Sequence, residues 1–298
     1  MDFSLVALRV FREVAERGTF TAAATALGYT QSAVSRQIAG LERTAGTALL
    51  ERRRDGVRLT PAGEIVLRRA AVVLDELAAT ARELAGRPAD AGAVRLGWFT
   101  SAGASLVPRA VADLRRTHPG VAVTTREGST TSLVRALRAG TVDLAVLAAA
   151  PPYRPLDAGS PPLAVTVLAE RTLRVAVPIS SPLAAGDAID LDDLRGQRWI
   201  AGPPARDEQL MGVWPGLGER AEIAHTARDW LAKLSLVAAG AGITTVPLSL
   251  APLAPAGVRV LPVRGGPDER RRVLLAHLPG PLSPPARLLA AALREAAT

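Results

Sequence analysis

From residue 4 onward, apolar side chains recur at helical spacing and glycines interrupt them. Leu5, Leu8, Phe11 and Val14 share the core-facing side of a helix over residues 4–17, which Gly18 closes. Thr19 can cap a second helix carrying Phe20, Ala23, Ala24 and Leu27. Gly28 and Tyr29 make a tight turn, and Thr30 can cap a third helix, QSAVSRQIAGLERTAG, in which Val34, Ile38 and Leu41 point inward. Small side chains at Ala23 and Ala24 let the second and third helices approach closely, and Gly28 supplies positive φ at the corner. This is the pattern of a helix-turn-helix, whose second helix enters the major groove by its amino-terminal residues. The residues left facing outward are Gln31, Ser32, Ser35 and Arg36. Gln pairs with adenine, Arg reaches guanine or phosphate, and Ser accepts or donates. Read alone, they are equally the polar face of an ordinary surface helix.

The next stretch, ALLERRRDGVRLTP, adds a charged turn. Arg52, Arg53 and Arg54 precede Asp55–Gly56, a hairpin-turn dipeptide, and Arg58 lies on the returning side. A basic two-stranded wing beside a helix-turn-helix contacts flanking phosphates or a minor groove. Thr60 and Pro61 then open a long helix as cap and first-turn residue. Its apolar positions Val66, Ala70, Val73, Leu77 and Leu84, with Thr80 filling the gap, step by 4 and 3 residues. Such a heptad stripe suits the pairing of two subunits; packing on its own domain is the plainer alternative.

Beyond GRPADAG (86–92) the pattern changes to β-branched runs alternating with helical stretches. The runs are AVRLGWF at 93–99, VAVTT at 121–125, DLAVL at 143–147, LRVAVP at 173–178, ITTVP at 243–247 and VRVLPV at 258–263. They predict βαβ units around a mainly parallel sheet. Proline-rich PPYRPLDAGSPP (151–162) and APLAPAG (251–257) punctuate them. The fold class is α/β overall, with a winged helix-turn-helix over 1–60, a linker and dimerisation helix over 61–88, and an α/β domain over 92–298. Thr100 and Ser101 follow the first strand of that domain, and Gly128, Ser129 and Thr130 follow the second. Hydroxylated helix starts at the carboxyl ends of parallel strands are where ligands bind, although each hydroxyl would also serve as a plain N-cap. Gly202, which ends RWIAG, and Arg206 beyond it can face the same crevice, with Arg206 either a counter-charge or a plain surface residue.

Composition narrows the chemistry. With no cysteine among 298 residues, disulfides, thiolate zinc sites and cysteine nucleophiles are excluded. His118, His225 and His277 lack metal-ligand spacing and no GxSxG elbow is present, so no catalytic residue, metal or cofactor is expected. The 36 basic and 28 acidic side chains leave +8, and every basic residue except Lys233 is arginine. Residues 1–90 carry 13 basic and 11 acidic groups, and residues 91–298 carry 23 and 17. DNA binding therefore rests on the local order of the head, while the excess elsewhere suits an anionic effector or solubility. No stretch approaches the ~20 apolar residues of a membrane span. MDFSLVALRV lacks the basic head and apolar core of a secretory signal, so a cytoplasmic location is expected.

GTFTAAA, TQSAVSRQI, LE separated by three residues from Gly46, the basic turn and LTPAGE lie in order between Phe11 and Glu64. This ordered set closely resembles the DNA-binding head of LysR-type bacterial transcriptional regulators. VRLGWFTSAGASLVPRAVADLRRTHPGVAV, REGSTTSLVRALRAGTVDLAVL and VAAGAGITTVP resemble the same family's effector-binding portion. The resemblance implies a type 2 periplasmic-binding-protein fold with two subdomains joined by crossing strands. The first covers about 92–167 and 265–298, the second about 168–264. It also implies promoter DNA, a small-molecule effector between the lobes, a homodimer or homotetramer, and RNA polymerase as partners. The alternative is a solute-binding or enzymatic α/β protein with an accessory N-terminal module; the missing signal and the attached reading head weigh against it.

Overall fold

The computed structural model describes residues 2–53, 56–84, 86, 91–157, 161–202, 212–215, 217, 221–266 and 269–298. The chain opens with α1 (Leu5–Arg17), α2 (Phe20–Leu27) and α3 (Gln31–Ala45). Ser4, Thr19 and Thr30 each accept a backbone N–H of the first turn through their hydroxyl, and Gly18, Gly28 and Gly46 end the helices. Gly28 has φ +68°, the left-handed conformation the turn between α2 and α3 requires. Phe11, Val14, Ala23, Val34, Ile38 and Leu41 form the core of this head. Leu5 departs from its expected inward position: it is the first helical residue and 42% exposed, and Val10 is buried instead. Next, β1 (Leu50–Arg53) and β2 (Gly56–Leu59) pair antiparallel, with Leu50 opposite Leu59 and Arg53 opposite Gly56. Arg54 and Asp55 lie outside the described residues. Helix α4 (Pro61–Leu84) starts at the Thr60 cap and lays Leu67, Ala70 and Leu74 on the head.

The second part runs β3 (Gly92–Trp98), α5 (Leu106–Thr117), β4 (Val121–Glu127), α6 (Thr130–Arg138), β5 (Leu144–Ala149), β6 (Ala164–Pro178) and β7 (Ile189–Asp190). It continues β8 (Arg198–Ala201), β9 (Glu222–Thr226), α7 (Trp230–Ala238), β10 (Thr244–Pro247), β11 (Val258–Leu261), β12 (Val263–Arg264), β13 (Arg270–His277) and α8 (Pro284–Ala297). Pro262 splits VRVLPV into two strands, having no N–H for the ladder. The main sheet is ordered β10–β6–β13–β5–β3–β4, with β11 also on β6.

Within it only the pairings of β3 with β4 and β5 are parallel, so the expected mainly parallel sheet is mixed. Connectivity is the cause. The chain crosses between lobes along β6 and returns along the neighbouring β13, and opposite crossings must pair antiparallel. The first part of β6 pairs with β13 through Thr172, and Leu173–Pro178 pairs with β10 and β11. On β3, Val94 and Leu96 pack with α5 and α8, while Ala145 and Leu147 of β5 pack with α6. The proline-rich segment after β5 is anchored by Arg138, which donates to both Asp157 carboxylate oxygens and to the Pro161 carbonyl.

Candidate DNA interface and effector cleft

Burial sorts the residues of α3 as their spacing predicts. Val34, Ile38 and Leu41 are buried; Gln31, Ser32 and Arg36 are exposed, and Ser35 is half-buried. On the wing, Arg52, Arg53 and Arg58 are exposed. Arg52 joins wing to reader: its Nη2 donates to Ser35 Oγ at 3.5 Å, and its guanidinium stands 5.0 Å from the Phe20 ring centroid. Nothing periodic in the sequence links these three residues, so only folding exposes the contact. Arg53 pairs with Glu51 at 3.1 Å, and Arg58 lies opposite Glu51 in the register. An exposed pair of this kind is worth little and yields readily to phosphate.

In the second part, Thr100 and Ser101 form a short turn at the carboxyl end of β3. Ser101 is 8% exposed, whereas the Thr100 hydroxyl donates to Glu127 Oε1 at 2.6 Å. The Gly128 N–H donates to the Trp98 carbonyl at 3.0 Å, which brings the start of α6 beside that turn. There two hydroxyls already have structural work. Ser129 Oγ accepts the Ser132 N–H at 3.2 Å, and Thr130 Oγ1 donates to the Ala148 carbonyl at 3.1 Å. Gly202 is buried just after β8, and Arg206 lies outside the described residues. The opposite lobe meets this corner at Ala104, which packs on the cluster containing Ile200, Leu234 and Val237. The structure thus gathers Thr100, Ser101, Gly128, Ser129 and Thr130, and sets two further groups beside them. One is the Glu127 carboxylate; the other is the buried Trp98 indole N–H, which has no acceptor. Trp199 and Trp214 are core residues. Lys233, on α7, is 2% exposed with its ammonium 4.7 Å from the Trp230 ring. Burial lowers its pKa to about 8 against the opposing charge of Asp229.

Residues 5–64 match the family described as bacterial regulatory helix-turn-helix protein, lysR family, and residues 88–298 match the LysR substrate binding domain. The chain belongs to the LysR family of bacterial transcriptional regulators. This LysR-type regulator is 31% identical over 276 residues to the HTH-type transcriptional regulator TtuA of Agrobacterium vitis, covering 90% of this chain and 89% of that one. It is 30% identical over 251 residues to BenM of Acinetobacter baylyi, covering 81% and 79%. Its fold is similar to that of a full-length OxyR variant from Pseudomonas aeruginosa, with a TM-score of 0.72 at 24% identity over 100% of this chain and 95% of that one. It is a DNA-binding transcriptional regulator in which a reading head and an effector-binding domain share one chain.

Along α4 of this LysR-type regulator, the expected stripe divides into a buried and an exposed part. Ala70 is 2% exposed and Val66 packs on the head core, so both face their own chain. Val73, Leu77 and Leu84 are 43%, 38% and 84% exposed, with Ile65 and Val72 exposed beside them. Among the described residues, no helix is long and apolar enough to cross a membrane. Nor do the described residues hold a cluster of three or more His, Cys, Asp or Glu that could bind a metal ion.

Proposed function

We propose that α3 and the wing read promoter DNA by a division of labour. Gln31, Ser32, Ser35 and Arg36 face base edges, while Arg52, Arg53 and Arg58, with Arg54, hold phosphates. The observation that carries this reading is Arg52 lying between Ser35 and Phe20, which makes wing and reader one cationic surface. A small effector enters between the lobes near Thr100, Ser101, Gly128, Ser129, Thr130 and Gly202 and shifts promoter occupancy. Glu127 beside Thr100 favours an effector carrying a hydrogen-bond donor at that end, and Arg206 is the candidate counter-charge for an anionic group. Val73, Leu77 and Leu84 pair two subunits so that two heads meet two half-sites. The protein works in the cytoplasm, recruits or contacts RNA polymerase, and catalyses no reaction.

The test of the reading head is Arg36→Ala. It should weaken specific operator binding by about 1–3 kcal/mol in a mobility-shift titration while helical circular dichroism stays unchanged. Unaltered operator affinity in a folded variant rejects the assignment.

A further inference from the structure

The reading head and the effector domain touch at a charged seam. Glu16, near the end of α1, accepts from Arg95 Nη1 on β3 at 3.2 Å. Arg95 is fixed from its own side: Nη2 and Nε donate to the Asp143 carboxylate at 2.7 and 3.1 Å, and the Arg95 backbone N–H donates to it at 2.7 Å. The guanidinium fork is thereby oriented before the head arrives, leaving Nη1 aimed at α1. An apolar footprint accompanies the pair. Ala139, just after α6, belongs to the same buried cluster as Leu67, Ala70 and Leu74 of α4. Gly140 comes so close that a Cβ there would stand 3.6 Å from the Ala71 Cβ. Beside the pair lies a solvent-open cleft of about 200 Å³ lined by Glu16, Arg95, Thr124, Arg126 and Thr141. Burial raises the Glu16 pKa even though the Arg95 charge opposes the shift. The pair is only partly buried, so its contribution to the strength of the contact is modest.

We propose that this edge of the effector domain, centred on Arg95, Asp143 and Gly140, is a docking surface for the chain's own reading head, registered by Glu16. Two elements run from the seam to the candidate cleft. β3 carries Arg95 at one point and Trp98 at its carboxyl end; α6 begins at Thr130 and leads into Ala139 and Gly140. A change of lobe packing at the cleft therefore has a short, rigid route to the head. That link rests on the cleft proposed above, whereas the docking itself does not.

The chain has no cysteine, so spin labels can be placed on Thr21→Cys in the head and Ala122→Cys on β4, both exposed positions of the full-length protein. Labelled chains are diluted with unlabelled ones, and pulsed electron spin resonance gives the distance within one chain. The parent should show one dominant, narrow distance. Glu16→Arg should at least halve that population in favour of longer distances, and Glu16→Gln should broaden it. Glu13→Arg, the same charge change one turn away, should leave it intact. An unchanged distribution in Glu16→Arg, or an equal change in Glu13→Arg, overturns the proposal. If Glu16→Arg loses helical circular dichroism, Glu16→Gln decides: a distribution identical to the parent's overturns it. None of these outcomes depends on an effector, so the docking can fail without touching the cleft.

Discussion

Arg52 and Lys233 are both cations set against aromatic rings, and their surroundings give them opposite uses. Arg52 is exposed, so its charge remains available to phosphate while Phe20 and Ser35 restrict its position. Lys233 is buried, and burial disfavours its charged form. Its folded-state pKa of about 8 lies below the ordinary 10.5, so the unfolded chain holds the proton more tightly. Below pH 8 both states are protonated and the burial cost is present in full. Between about 8 and 10.5 the folded state loses its proton first, and stability rises with pH. Lys233→Met should accordingly abolish this rise, so that its stability gains less than the parent's between pH 8 and 10.5. Urea titration followed by tryptophan fluorescence reads this, since Trp98, Trp199, Trp214 and Trp230 all lie in that domain. Parallel pH–stability curves for the two proteins would contradict it.

At the scale of elements, α4 divides its apolar positions between a buried side and an open one. A single heptad stripe was legible in the sequence, but Leu67, Ala70 and Leu74 bind the head while Val73, Leu77 and Leu84 remain open. A helix stripe more than about 100° wide contains both sets, and periodicity alone does not divide it. The division makes a contrast testable. Val73→Glu with Leu77→Glu should move the protein from dimer towards monomer in sedimentation velocity without loss of helix. Ala70→Glu should instead destabilise the head, because it places a carboxylate in a filled core. An unchanged sedimentation coefficient in the double variant would remove this face from the subunit contact.

For the whole molecule, the formal charge of +8 is a poor guide to where DNA binds, because most of the excess lies beyond residue 90. Counterion release counts only the phosphates that are touched, so the wing should set the salt dependence. Arg52→Ala with Arg53→Ala should reduce the slope of log affinity against log salt by about 2. Arg115→Ala with Arg116→Ala, exposed on α5, should leave it alone. Equal slopes for the parent and the wing variant would move the phosphate contacts elsewhere.

The sequence by itself determined what neighbouring residues settle between themselves. Hydroxyl caps at Thr19 and Thr30, the Gly28 corner, the outward face of α3 and the order of motifs that marks the family are all local, fixed by dihedral preference and periodicity. Only the tertiary structure decided which of two faces a helix buries, that β6 and β13 cross antiparallel, and that Lys233 lies inside. It also decided the long-range pairs: Arg52 with Ser35 across 17 positions, Thr100 with Glu127 across 27, and Glu16 with Arg95 across 79. Such pairs follow from the path of the backbone through space. The residues between them fix that path through packing, and leave no repeat at either end by which the partners could be found.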